Sequence, residues 1–252
     1  MITELDFSLD GFEPADAASE RAESDLWLGD LTLLAEHHTT PNGSHSYVVA
    51  HDGSVTWGVP GEPQLVAIKI ARNLADGTFT LESARHAQAA FAQNWLAERG
   101  CPPEKLIPSD DFLKPADDLT SQAEQRVRES GERYRVLDTY TYDSEPCETW
   151  ALVRDSRATE QPVRVFLEEA DLDGGTYTVR EGAFADEQAA RAWLDERPGP
   201  LPEPPANPAT ADHRTRAALS RSAGTSLSPK AGAQDSAATP SSANQPTRGR
   251  TL

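Results

Sequence analysis

The stretch LADGTFTLESARHAQAAFAQNWLAER, Leu74 to Arg99, returns without a gap as LDGGTYTVREGAFADEQAARAWLDER, Leu172 to Arg197. Ten identities recur in register, among them Leu74/Leu172, Gly77/Gly175, Thr78/Thr176, Ala92/Ala190, Trp95/Trp193 and Arg99/Arg197. Self-similarity at a fixed separation marks duplication of a structural unit, and two copies of one small unit predict two related subdomains. Each copy runs from period-two alternation into apolar residues at helical spacing. Ala87, Phe91 and Trp95 stand at i, i+4 and i+8 with Ala84 and Leu96 beside them, and Ala185, Ala189 and Trp193 with Leu194 follow the same spacing. That stripe predicts a closing helix packed on a sheet.

Working upstream, Phe12 to Ser24 (FEPADAASERAES) echoes Leu113 to Gln125 (LKPADDLTSQAEQ). Pro followed by Asp and then helix formers is a helix start, so each unit opens with a short helix, with Leu119, Ala123 and Val127 as the apolar stripe of the second and Gly131 as its stop. Period-two runs at Leu31 to Ala35, Tyr47 to Ala50 and Leu65 to Ala71 predict strands of the first copy, and Tyr134 to Tyr142, Trp150 to Val153 and Pro162 to Glu168 those of the second. Aligning 47–52 with 150–155 preserves strand order and leaves Val55 to Val59 as an extra strand or hairpin. In the third strand an offset one residue shorter than ninety-eight sets Val66, Ile68 and Ile70 against Val163, Val165 and Leu167. It keeps the apolar face inward, because a one-residue slip exchanges the two faces of a strand. Asp76-Gly77 and Gly174-Gly175 read as two-residue hairpin turns with positive φ at both positions.

The fold class is therefore α+β: a tandem duplication of a small antiparallel sheet unit closed by a C-terminal helix, with disordered termini. The units span 12–100 and 115–198, separated by a Pro-rich linker at 101–114. Residues 1–11 read as a disordered acidic lead-in, and 199–252, dense in Pro, Ala, Ser and Thr, as a disordered tail with too little apolar surface to offset ordering entropy.

Gly182 to Leu194 (GAFADEQAARAWL), following strands, resembles the three-strand-plus-helix arm-binding module at the start of tyrosine recombinases. That resemblance implies strands followed by a closing helix. The Arg and Lys residues that the module uses on DNA are missing from the sheet.

The formal net charge of 252 residues is -18. Residues 1–43 hold ten acids against Arg21 alone, 44–197 hold 28 against 16 basic groups, and 198–252 hold three against six. An acidic body repels phosphate backbones, so direct nucleic-acid binding by the folded part is disfavoured. Cys101 and Cys147 occupy unmatched places outside any CxxC spacing, which argues against a disulfide framework. The N-terminus has acids where a signal peptide has a basic start, and no run approaches about 18 apolar residues. A cytosolic protein without membrane contact is expected.

No motif announces chemistry. His37, His38 and His45, with Asp30 and Asp52 nearby, fit no zinc spacing, so no metal or cofactor is expected. No GxSxG occurs, and Cys101 lies past a helix end, so no catalytic residue is assigned. The residues suited to an interaction are Trp57, set among Gly58, Pro60, Gly61 and Pro63, then Trp27, and the acidic run Glu168, Glu169, Asp171 and Asp173. These features predict a non-enzymatic accessory module that binds another protein. One alternative is a nucleic-acid-related role, as an acidic mimic of DNA or through the basic tail. The other is a small-ligand or enzyme cleft between the copies, for which His37, His38, Asp30 and Glu168 are the first polar residues to inspect.

Overall fold

The computed structural model describes residues 7, 9–39, 43–57, 61–106, 113–142 and 144–205. Met1–Pro205 form one compact unit. The sequence from 206 onward, most of the expected tail, lies outside the described residues.

Each copy opens with a two-residue strand, β1 (Glu13–Pro14) or β6 (Lys114–Pro115), that runs into a helix, α1 (Ala17–Trp27) or α3 (Asp118–Arg128). A four-strand antiparallel meander follows: β2 (Leu31–His38), β3 (His45–Asp52), β4 (Leu65–Asn73) and β5 (Thr78–His86), against β7 (Tyr134–Tyr142), β8 (Glu148–Asp155), β9 (Val163–Asp171) and β10 (Thr176–Phe184). A closing helix ends each copy, α2 (Ala89–Glu98) and α4 (Glu187–Glu196). Each meander has four strands where the recombinase resemblance implied three. The two sheets have matching orders, β1-β5-β4-β3-β2 and β6-β10-β9-β8-β7, with the two-residue strands parallel to their neighbours.

Local chemistry repeats as closely as topology. Asp16 and Asp117 cap the first helices, with side chains accepting from Ser19 N and Thr120 N, as Asp does where orphan helix amides need a partner. Ser19 Oγ then accepts from Leu81 N, and Thr120 Oγ1 from Val179 N, both at 3.1 Å. The same hydroxyl thus fixes helix to sheet in both copies. The stripe on α3 is Thr120, Ala123, Glu124 and Val127, while Leu119 is 60% exposed.

Several expectations are corrected. The offset of ninety-eight holds through the third strand: Asn73 pairs with Thr78 and Asp171 with Thr176, so Arg164, Phe166 and Glu168 occupy the places of Val66, Ile68 and Ile70. No register slip exists. Both faces of these strands are covered by helices, so the run of apolar residues does not say which face is inward. The hairpins have four-residue loops, with positive φ only at Gly77 (66°) and Gly175 (64°). Asn73 Oδ1 accepts from Ala75 N and Asp76 N, and Asp171 Oδ1 from Gly174 N, so a side-chain cap at the strand end shapes each turn. Of the extra strand or hairpin expected at Val55 to Val59, residues 55–57 lie in a 3-10 turn over Gly53–Trp57, and 58–59 lie outside the described residues. Further along, Gly61 gives its carbonyl to Thr141 N at 3.3 Å, capping the outer edge of β7.

Segments read as loose also contribute to the core. Phe7 is buried beneath α1, with Leu9 and Phe12 packed on the same cluster. Cys101 and Leu106, from the Pro-rich linker, are buried beside α2. Leu201 packs against the cluster under α4, and Pro202 O accepts from Ala183 N at 3.0 Å.

The layers follow from which helix covers which face. One face of the first sheet packs under α1 and the other under α2. One face of the second packs under α3 and α2 together, the other under α4. α2 is therefore shared. Its Ala92 and Leu96 face the first sheet while Ala90 and Phe91 face the second, with Phe91 edge-on to Phe166 at 5.5 Å. Gln88 Nε2 donates to Phe166 O at 3.1 Å, and Asn94 exchanges two hydrogen bonds with Gly131.

Candidate functional site

The sharing of α2 leaves room between the sheets. A cavity of about 240 Å³ opens there, with a floor of Leu34, Val49 and Leu65 from the first copy and Ala87, Ala89 and Gln93 along the helix. Its other wall is the second sheet, through Thr149, Glu168, Ala170 and Tyr177, and Glu124 of α3. At roughly 30 Å³ per water this is space for about eight waters, the size of a small organic molecule.

The duplication explains the cavity. Glu168, Ala170, Tyr177 and Thr149 are the counterparts of Ile70, Arg72, Phe79 and Ser46. In the first copy those four residues surround Phe7. Ile70 and Phe79 share its cluster, and the Arg72 guanidinium donates to Phe7 O, to Ser46 Oγ at 2.8 Å and to Gly43 O at 2.9 Å. The corner that the first copy fills with an aromatic plug and a tethering cation is, in the second, walled by Ala170 and a carboxyl.

The electrostatics of the second corner match that exchange. Glu168 keeps some accessible surface, yet burial, followed by the Glu124 charge, pushes its carboxyl up to about 8. Its accessible surface is surface of the cavity. Among the described residues no hydrogen bond or ion pair reaches the Glu168 carboxyl. Glu124, 7% exposed, accepts from Tyr177 OH at 2.6 Å and lies 3.6 Å from Arg128. Burial and that hydrogen bond both raise the Tyr177 phenol, which stays protonated. Gln93, 4% exposed, donates through Nε2 to Leu106 O at 2.7 Å and leaves Oε1 without a partner. His51 and Gln64 close the rim, joined at 3.0 Å.

The sequence-predicted residues are dispersed. Among those described, Glu168 alone reaches the cavity; Glu169, one residue on, points to the opposite face of β9 and is exposed. Asp171 and Asp173 are exposed at the hairpin, where Asp171 caps Gly174 N at 2.8 Å. Trp27 is 67% exposed at the end of α1, beside Leu28 at 83%. Trp57 ends the 3-10 turn, and its side chain lies outside the described residues. His37 and His45 flank Tyr47 with rings stacked at 6.2 and 6.3 Å, and His38 bonds Ser46 Oγ and Glu36, so these histidines serve the edge of the first sheet. Asp30 is exposed, its amide donating to Asp52 Oδ1 at 3.3 Å. Among the described residues no three His, Cys, Asp or Glu gather as metal ligands, and no helix is long and apolar enough to cross a membrane.

Glu124, Gln93, Tyr177, His51 and Gln64 were missed. Glu168 opposite Ile70 and Ala170 opposite Arg72 become visible once the copies are aligned at ninety-eight throughout, and the one-residue slip conceals that pairing. Of the two cysteines, Cys101 is buried with its thiol pushed up to about 12 by burial and Glu104, while Cys147 stands at the cavity wall.

Comparison with protein-family models, with curated proteins and with solved structures returns no match for this chain.

Proposed function

We propose that the protein binds a small, largely apolar molecule in the cavity between its two repeats, without chemical turnover. The observation that carries this is the contrast between equivalent corners: one plugged by Phe7, the other a 240 Å³ space with an apolar floor and an unpartnered carboxyl. A concave, largely apolar space with a few convergent polar groups and a displaced carboxyl pKa is the usual form of a ligand site. Ligand-observed NMR with a fragment library tests it. Aromatic and aliphatic fragments of about ten non-hydrogen atoms should bind, within the reach of ligand efficiency at that size, and Ala170→Phe, which supplies a plug of the first copy's kind, should abolish binding while the fold is kept. Equal binding by the variant would place the fragments elsewhere and remove the proposal.

Recognition of another protein is a second reading, favoured by the adjacent exposure of Trp27 and Leu28. Paired aromatic and aliphatic side chains standing clear of the surface are suited to filling a partner's pocket. Capture from native lysate should then be lost in Trp27→Ser/Leu28→Ser. Capture that survives the double substitution would dismiss this surface.

A further inference from the structure

We infer that the occupant of the cavity is an organic cation, an ammonium or guanidinium on a small apolar body, held at Glu168 and Gln93. This deepens the proposed function and rests on the cavity being a ligand site.

The molecule carries its own precedent. In the first copy a cation already stands in the corresponding corner, the guanidinium of Arg72, and a phenyl ring stands beside it. It reaches the side-chain oxygen of Ser46 and two carbonyl oxygens. In the second copy Ala170 replaces that arginine, so the chain no longer brings a cation there. Of the three oxygens that hold Arg72, the side-chain oxygen keeps a counterpart, and other acceptors are added. Thr149 replaces Ser46, Glu168 replaces Ile70, Gln93 contributes an unpartnered Oε1, and Thr141 Oγ1 at the same wall also lacks a partner. An acceptor-rich corner from which the donor has been removed calls for a donor.

Charge decides between neutral and cationic donors. The Glu124 charge acts on Glu168 across the wall, and Arg128, the cation beside Glu124, is already engaged there. The other polar or titratable groups that line the cavity, among the described residues, are Tyr177 from β10, Thr149 from β8, Thr141 from β7, the Cys147 thiol, Gln93 from α2 and, across the cavity, His51 and Gln64. None supplies a permanent positive charge. Burial by protein and a like charge beside it favour the protonated carboxyl and push Glu168 up to about 8. An incoming ammonium would reverse that balance, taking up the carboxylate as a charge-assisted partner. The apolar floor of Leu34, Val49 and Leu65 would take the remainder of the molecule. An anionic ligand would meet two carboxyls and no free cation.

The test uses the full-length protein and three probes of nearly one shape: 2-phenylethylamine, 2-phenylethanol and 3-phenylpropionate, with affinities measured by calorimetry at pH 7.5. The amine should bind at least about tenfold more tightly than the alcohol, a difference of about 1.4 kcal/mol, and the carboxylate should not bind. Glu168→Gln should weaken the amine by about tenfold and leave the alcohol within twofold. Ala170→Arg, restoring the internal cation, should abolish amine binding while the unfolding midpoint stays close to that of the parent. If alcohol and amine bind the parent equally, or the carboxylate binds best, the cation is wrong and the cavity reading stands. If none of the three binds, both fall. The comparison among probes needs no variant to fold.

Discussion

α2 and α4 descend from one duplicated helix and now do different work. Aligned position by position, Ala90 and Phe91 of α2 become Gln188 and Ala189 of α4, while Trp95 and Leu96 are kept as Trp193 and Leu194. The kept residues face each helix's own sheet. The changed ones face the next layer, which among the described residues is present only for α2. Ala90 is 4% and Phe91 6% exposed, whereas Gln188 and Ala189 lie in solvent. A terminal helix with a polar outer side is how a stack of repeats is closed. The difference teaches that the inner face of these helices records the fold, and the outer face records position in the stack.

The comparison can be broken most sharply at its centre. Phe91→Ala should cost about 3–5 kcal/mol, the usual loss for a buried Phe, and Ala189→Phe should shift stability by no more than about 0.5 kcal/mol. Denaturant unfolding of both variants measures this, and similar costs would show that α2 is not the shared layer.

Next in size is a difference of pH. His86 and Phe184 are counterparts, and each leans on its tryptophan, His86 on Trp95 at 6.2 Å and Phe184 on Trp193 at 6.1 Å. Burial, then the Arg99 charge, lowers His86 from 6.5 to about 4. The unfolded chain therefore takes the proton first, and folded stability contributed by neutral His86 is complete above about 6.5 and lost as pH falls toward about 4. His86→Phe should remove that loss, gaining up to about 3 kcal/mol relative to the parent at pH 4 and nothing from this cause above pH 7. The raised Glu168 carboxyl contributes an opposite slope, stability falling as pH rises toward 8, but it is common to both proteins and cancels in their difference. Parallel stability curves from pH 4 to 7 would contradict the assignment.

A smaller effect concerns two buried carboxylates. Asp52 and Asp155 end equivalent strands, each 1% exposed. Burial raises both, but hydrogen bonds outweigh it, from Ser54 and Arg85 on Asp52 and from Arg133 and the Arg157 amide on Asp155, so both carboxyls are held below their ordinary value. Arg85 stands directly across from Val66, and in the second copy Arg164 stands across from Ala183. The arginine has changed strands and kept its carboxylate, at 2.6 Å from Arg85 and 3.6 Å from Arg164. Arg85 is 42% exposed, so water replaces part of what its removal takes away, and Arg85→Ala should cost about 2 kcal/mol. Adding Val66→Arg, the second copy's solution, should recover about half. A double-mutant cycle with no coupling would separate the two sites. Smallest of all, a chain ending at 205 should unfold like the parent, and one ending at 198 should lose about 1 kcal/mol with Leu201.

The duplication, the strand order and the capped helix starts were legible because each rests on local pattern: alternation, i, i+4 spacing, and Pro-Ala-Asp before a helix. The 98-residue match located β5, α2, β10 and α4 almost to the residue. The sharing of α2 was not legible, since one helix period serves one covered face as well as two. Phe7 was read as loop because its neighbours are polar and Leu106 because its segment is Pro-rich, and single apolar anchors carry no periodicity. Glu168 was read both as one of an acidic run and, with His37, His38 and Asp30, as a polar residue of a cleft between the copies; its strand turns it away from Glu169, and of those four it alone lines the cavity. The corner it forms emerges only from comparing the copies in correct register, and a doubly covered strand conceals register from its hydrophobic pattern.

The shared helix also sets an order of assembly on the ribosome. Chains emerge N-terminus first, and domains generally fold as they appear. By the time Leu106 is out, every layer of the first copy has been made, and Ala90 and Phe91 wait on its outer side. The second sheet thus condenses on a surface already in place, whereas a chain rearranged to deliver 113–205 first would have to hold Phe166, Val153 and Val179 uncovered until α2 arrived. The first copy acts as a template for the second, and the direction of synthesis matches the direction in which the stack can be built.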